Sequence, residues 1–171
     1  MYLDFHGHST KKNIFIYGPD YGLVDPKYML CRVFPKLVSK LTNTFRYYSC
    51  IFKISREKAK TARAVMLREF GIPYCYTVEA SAYCYNGQFG DLPFVSQTYV
   101  EAGKRICEGV QKFTGILLKL EVKKEEIKKE KKRIKEMKIE MYQEVRMVKM
   151  RQRSKGKKHK ESVSRTLQPK P

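Results

Sequence analysis

Histidine is scarce in this chain, and the scarcity limits what metal chemistry it can do. Only His6, His8 and His159 occur. One or two histidines do not make a catalytic zinc site, and His159 sits in a lysine-rich tail far along the sequence. The five cysteines, at positions 31, 50, 75, 84 and 107, are odd in number and lack CxxC spacing, which argues against a disulfide framework or a thiolate zinc module. Reduced, structural thiols are the expectation, as in a cytosolic protein. No basic stretch followed by an apolar run opens the chain, and no segment approaches the roughly 18 consecutive apolar residues of a membrane span. The sequence therefore predicts a soluble, cytoplasmic protein with no membrane partner.

Acidic residues are also few, 17 Asp and Glu against 36 Lys and Arg, for a net charge of +19. From Glu121 onward 19 Lys and Arg face 8 Asp and Glu, so more than half of the surplus is concentrated in the last third. Such a surplus favours an acidic partner: nucleic acid, an anionic membrane or an acidic protein tail.

What is present reads as alternating strands and helices. Residues 2–5 suit a short strand with His6 at or just past its end, and residues 13–17 suit a second, stopped by Gly18-Pro19. A helix is predicted from Asp25-Pro26, with Met29, Leu30, Val33, Leu37 and Leu41 near helical spacing and Pro35 interrupting them. Residues 49–55 read as a strand. A helix follows and stops at Gly71, with Pro73 beyond it. Residues 74–80 are rich in β-formers, with Glu79 near the carboxyl end; residues 86–93 read as a loop. A long helix begins near Phe94 and shows Val100, Ile106, Val110, Phe113 and Leu117 on one face. This order predicts an α/β domain with a mixed or mostly parallel sheet, in which functional residues gather at the carboxyl ends of strands.

Past Leu120 an apolar residue recurs every seven, at Leu120, Ile127, Ile134, Met141 and Val148. The companion row is Lys124, Lys131, Lys138 and Val145, so any coiled coil would have a half-filled seam. The boundaries predicted are a domain over 1–118, a charged helical extension over 119–153 fraying near Arg151, and a disordered basic tail over 154–171.

The opening run Asp4-Phe5-His6-Gly7-His8-Ser9-Thr10-Lys11-Lys12-Asn13 raises a sharper question. His6 alone is more often a hydrogen-bonded structural residue than a ligand. Glu79 is harder to set aside, since an acid in an apolar strand either pairs with a buried cation or serves a site. The run as far as Gly18 resembles the signature of the cytosolic carboxypeptidases, a branch of the zinc metallocarboxypeptidases. Two further blocks match in order: Thr61-Ala62-Arg63-Ala64-Val65 through Ile72 resembles the basic helix of that family, and Tyr76-Thr77-Val78-Glu79-Ala80-Ser81 its catalytic-glutamate strand. The segment Cys31 to Lys36 also fits.

The resemblance covers roughly residues 1–118 and implies the C-terminal half of a mixed-sheet metallocarboxypeptidase domain. It implies His6 as the third zinc ligand and Glu79 as the general base that activates the water at the zinc. Arg63 matches the position that receives an acidic substrate side chain, with Lys60 a weaker candidate, and His8 reads as a substrate contact rather than a second ligand. The implied activity is removal of C-terminal glutamates from acidic protein tails, tubulin-like ones above all, with cytoskeletal association. The family's other zinc ligands lie in an upstream HxxE motif that this chain does not contain, so the ligand set is incomplete and the chain alone is expected to be inactive, a fragment with exposed sheet edges. The alternative is a non-catalytic basic protein that binds microtubules or nucleic acid through its tail.

Overall fold

The structure, a computed structural model, describes residues 1–166, with the side chains of residue 148 and of residues 151 onward outside the described set. The chain divides into two compact units, Met1–Leu118 and Lys119–Pro171.

In the first unit, β-formers at alternating positions build three strands, β1 (Tyr2–His8), β2 (Ile14–Tyr17) and β3 (Cys75–Ser81). They form one mixed sheet in the order β1-β3-β2, in which β1 runs parallel to β3 and β2 antiparallel to it. Because successive side chains point to opposite faces, the sheet sorts its residues cleanly. Ile14, Ile16, Tyr76 and Val78 face the core, where α1 (Lys27–Leu41) and the start of α3 (Ser96–Thr166) bring Phe34, Val38, Ala102, Ile106 and Phe113. The alternate residues, among them Glu79, Thr77 and Tyr17, face the other way.

Pro35 lies inside α1, as expected from the sequence, and is buried. A proline in a helix has no N–H for the carbonyl four residues earlier, here that of Cys31. The Tyr76 hydroxyl reaches across from β3 and donates to that oxygen at 2.8 Å. Tyr76 is fully buried, and burial pushes its hydroxyl well above the ordinary tyrosine range. Tyr76→Phe leaves the Cys31 carbonyl without a donor, and is expected to cost about 1–3 kcal/mol in urea unfolding. An unchanged midpoint would show that the helix tolerates the proline without help.

Several elements differ from the sequence-based expectation. β1 continues through Gly7 to His8 instead of ending at His6, since pairing with β3 continues to His8↔Ser81. The segment predicted as a strand over 49–55 touches the sheet through a single bridge, Tyr17↔Ile51. It is preceded by a short 3-10 turn, Tyr47–Ser49. Its β-formers satisfy local alternation, but only Ile51 exchanges ladder hydrogen bonds with β2, to Ile16 and Gly18. The predicted loop over 86–93 is a hairpin of β4 (Cys84–Gly87) and β5 (Gly90–Pro93). Its turn needs Gly90, at φ 141°, a conformation open to glycine. The Asn13 amide ties the hairpin down, its Oδ1 accepting from the Asn86 N–H at 2.9 Å and its Nδ2 donating to Asn86 Oδ1 at 2.6 Å. The helix preceding Gly71 is short, α2 (Ala62–Arg68), after a 3-10 turn at Arg56–Lys58.

In the second unit helical backbone reaches Thr166, where the sequence predicts fraying near Arg151 and disorder from Ser154. Lys, Arg, Glu, Gln and Met are strong helix formers, and between 119 and 166 only Gly156 is a weak one. The last part of the predicted tail, 167–171, lies outside the described residues.

Two half-buried groups give the first unit an alkaline limit. Burial pushes the Cys50 thiol from 9.0 up to about 12 and the Tyr21 hydroxyl from 10.0 up to about 12. The folded state holds both protons while the unfolded chain releases them, so stability is full below pH 9 and is lost as pH rises towards 12. Urea midpoints at about pH 8 and about pH 11 check this, and Cys50→Ala is expected to flatten the lower part of the decline.

Candidate active site

The sheet face opposite the core carries the residues singled out from the sequence. His6 on β1 and Glu79 on β3 are register partners across a parallel pair, so their side chains leave the same face at neighbouring positions. Asp4, His6 and His8 alternate onto that face from β1, Thr77 and Glu79 from β3, and Phe15 and Tyr17 from β2. All of these except the fully buried Phe15 line a cavity of about 630 Å3 together with Arg63 from α2. All four predicted site residues, His6, His8, Arg63 and Glu79, therefore meet at one cavity. Lys60 is exposed and does not line it; Lys53 and Lys58 do.

Arg63 is the most constrained member. It is only 4% exposed, held on α2 where that helix packs against β1 and β3. Its Nε has no hydrogen-bond partner among the described residues. Its Nη1 makes one long contact, to Thr61 Oγ1 at 3.4 Å, and its Cζ stands 5.5 Å from the centre of the Tyr17 ring. No ion pair among the described residues engages it. Burial pulls the guanidinium below its ordinary value, against the opposing pull of Tyr17 and Glu79. A buried guanidinium with an idle donor is costly, and a carboxylate is the group whose geometry best matches its fork.

Glu79 is half-buried, with no hydrogen bond or ion pair to its carboxylate among the described residues. Of the two explanations the sequence allowed for an acid in this strand, pairing with a buried cation is not what the geometry shows. His6 is exposed, and its Nε2 lies 2.9 Å from Asp4 Oδ2. A carboxylate on one imidazole nitrogen fixes the orientation of the ring and leaves the other nitrogen free for a ligand. His8 is held differently. Its Nδ1 accepts the backbone N–H groups of Thr10 and Lys11, each at 3.1 Å, and its ring meets Phe15 edge-on at 5.1 Å. With Nδ1 committed to the turn, Nε2 is left to face a ligand. Because Gly7 continues the strand, His6 and His8 share one face.

A catalytic zinc ion needs three protein ligands and an open position. Among the described residues no three His, Cys, Asp or Glu side chains converge in a way that could hold a metal. His6 offers one imidazole and Asp4 is engaged with it. Among the described residues the donors do not by themselves make a zinc site.

Sequence reasoning missed Asp4, Tyr17, Thr77, Lys53 and Lys58. Period-2 alternation could have found the first three, since Asp4 shares a face with His6, Thr77 with Glu79, and Tyr17 pairs with Thr77. The two lysines come from irregular backbone that no periodicity marks.

No family model matches the chain. No helix among the described residues is long and apolar enough to cross a membrane. Comparison with curated proteins finds several homologues of one kind. The chain is 35% identical over 126 residues to cytosolic carboxypeptidase 4 of Mus musculus, covering 64% of this chain and 11% of that protein. It is 31% identical over 136 residues to cytosolic carboxypeptidase 1 of Mus musculus, covering 71% of this chain and 11% of that protein. Against cytosolic carboxypeptidase 2 of Macaca fascicularis it is 37% identical over 116 residues, 66% of this chain and 14% of that protein. The chain thus spans about a tenth of the length of the curated relatives it matches.

Proposed function

We propose, from its homology to cytosolic carboxypeptidases over about two thirds of its length, that this chain forms the C-terminal part of such a catalytic domain. In this reading the whole domain is a cytosolic metallocarboxypeptidase fold that removes C-terminal glutamates from acidic protein tails, tubulin-like tails among them. The observation that carries it is Arg63: a guanidinium 4% exposed, with no carboxylate partner among the described residues, in the wall of a cavity shared with Glu79 and His6.

Each residue then has a task that its surroundings support. Arg63 binds the side-chain carboxylate of the terminal glutamate, and Lys53 and Lys58 add positive charge to the same cavity. Glu79 takes a proton from the attacking water on a carboxylate oxygen and delivers it to the departing amine as the peptide C–N bond breaks, leaving a new carboxylate and a free glutamate. His8 donates from Nε2 to the substrate. Asp4 orients His6, which would be one zinc ligand; the remaining ligands would come from sequence outside this chain. Zinc, when bound, would supply Lewis-acid polarisation. Without those ligands the chain by itself is expected to be inactive.

The test uses the full-length protein that contains this chain and peptides ending in Glu, Gln or Leu. Preferential release of glutamate is expected. Release of leucine in preference to glutamate overturns the role of Arg63, and no release from any peptide overturns the carboxypeptidase reading. The second reading, a basic protein bound to microtubules or nucleic acid, draws on charge alone and no feature of the cavity supports it.

A further inference from the structure

We propose that residues 120–145 of α3 form a docking stripe for an acidic amphipathic helix of another protein. The proposal does not depend on the cavity of the first unit or on its chemistry.

Two rows define the stripe. Leu120, Ile127, Ile134 and Met141 stand seven residues apart and are 37%, 49%, 43% and 62% exposed. Lys124, Lys131 and Lys138, followed by Val145 (49% exposed), form the companion row. At 3.6 residues per turn these positions fall side by side along one face, about 40 Å in length. Of the glutamates between 119 and 150, Glu121, Glu130 and Glu144 flank the edges of that face and none stands in either row. The ion pairs of this stretch are correspondingly off the stripe or loose, with Lys128–Glu125, Lys132–Glu136 and Arg133–Glu130 each at 3.9 Å. None among the described residues engages Lys124, Lys131 or Lys138. Among the described residues the stripe thus sets lysines without an ion pair beside apolar residues, with no acidic residue in either row.

That arrangement discriminates between occupants. A second copy of this chain would set lysine row against lysine row, and like charges at repeated seam positions oppose pairing. Duplex nucleic acid or a disordered acidic tail would neutralise the lysines but leave the isoleucines in water, because phosphate or carboxylate contacts need no apolar row. An acidic helix with its own apolar row satisfies both: apolar side chains fill the half-built seam, and glutamates meet the lysines. Charge complementarity of this kind sets partner choice and register in paired helices.

The experiment uses the full chain and a synthetic acidic peptide of about four heptads, with leucine in one seam row and glutamate in the other. A scrambled peptide of the same composition is the control, in about 0.15 M salt. The patterned peptide is expected to bind at least about tenfold more tightly than the scrambled one. Two variants are each expected to abolish that difference: Ile127→Asn with Ile134→Asn, and Lys124→Gln with Lys131→Gln and Lys138→Gln. The second leaves the apolar row and helix propensity intact. Equal binding of the two peptides overturns the proposal, as does patterned binding that neither variant weakens. A DNA duplex bound more tightly than the patterned peptide overturns it in favour of nucleic acid. Self-association of the chain that the asparagine pair abolishes overturns it in favour of a second copy.

Discussion

Arg63→Met is expected to make the first unit more stable and the enzyme worse. The guanidinium is almost wholly buried, its Nε is unpartnered, and its one protein hydrogen bond is long. Methionine has comparable reach and no charge to desolvate, so the substitution removes a standing penalty without opening a large cavity. A gain of about 1–2 kcal/mol, several degrees in thermal midpoint, is expected. In the full-length protein the same change is expected to lower kcat/KM on glutamate-terminated peptides by about one to two orders of magnitude, the worth of a charge-assisted hydrogen bond. Peptides ending in an apolar residue are expected to be affected little. Opposite signs for stability and activity distinguish a binding residue from a structural one; a destabilised variant would assign Arg63 to the fold.

Glu79→Gln is expected to have the larger kinetic effect and almost no structural one. The amide keeps the size of the side chain, and the carboxylate it replaces has no hydrogen bond or ion pair among the described residues for the fold to lose. Stability is expected to stay within about 0.5 kcal/mol. Glutamine cannot accept and return a proton, so kcat in the full-length protein is expected to fall by about 10²–10⁴-fold with KM nearly constant. Retention of full activity would remove Glu79 from the proton path.

The two variants bear on how much of this molecule was legible in its sequence. The strands β2 and β3 and the start of α3 are legible because each buries a face against the core, and burial imposes a periodicity; α1 is legible as a helix, but its buried row is Cys31, Phe34 and Val38, whereas the row expected from Met29 to Leu41 is half-buried or exposed. The convergence of His6, Glu79 and Arg63 is legible too, through a resemblance in which the order of three motifs stands for their meeting in space. What escaped has a physical reason in each case. The extension of β1 past His6 depends on ladder partners in β3, more than seventy residues away, which no local pattern records. The 49–55 segment has strand composition but finds only one bridging residue, because its neighbours turn towards the cavity instead of along the sheet. The hairpin of β4 and β5 has too few apolar residues to show alternation, and it is docked by polar contacts from the distant Lys12–Asn13 turn, Lys12 with Asp91 and Asn13 with Cys84 and Asn86.

The pairing of His6 with Glu79 in register has a consequence for how this site tolerates change. Their separation is set by the hydrogen-bond ladder between β1 and β3, close to the ordinary strand spacing of about 4.8 Å, and not by any loop. The turn from Ser9 to Asn13 can lengthen or shorten without altering it. A single inserted or deleted residue ahead of Asp4 within β1 is a different event. If the residues ahead of the change keep their pairing, the histidines move one position along β3, turn to the opposite face and leave the cavity together. Lineages carrying such a change would lose the whole constellation in one step, whereas length variation is expected to accumulate in the turns.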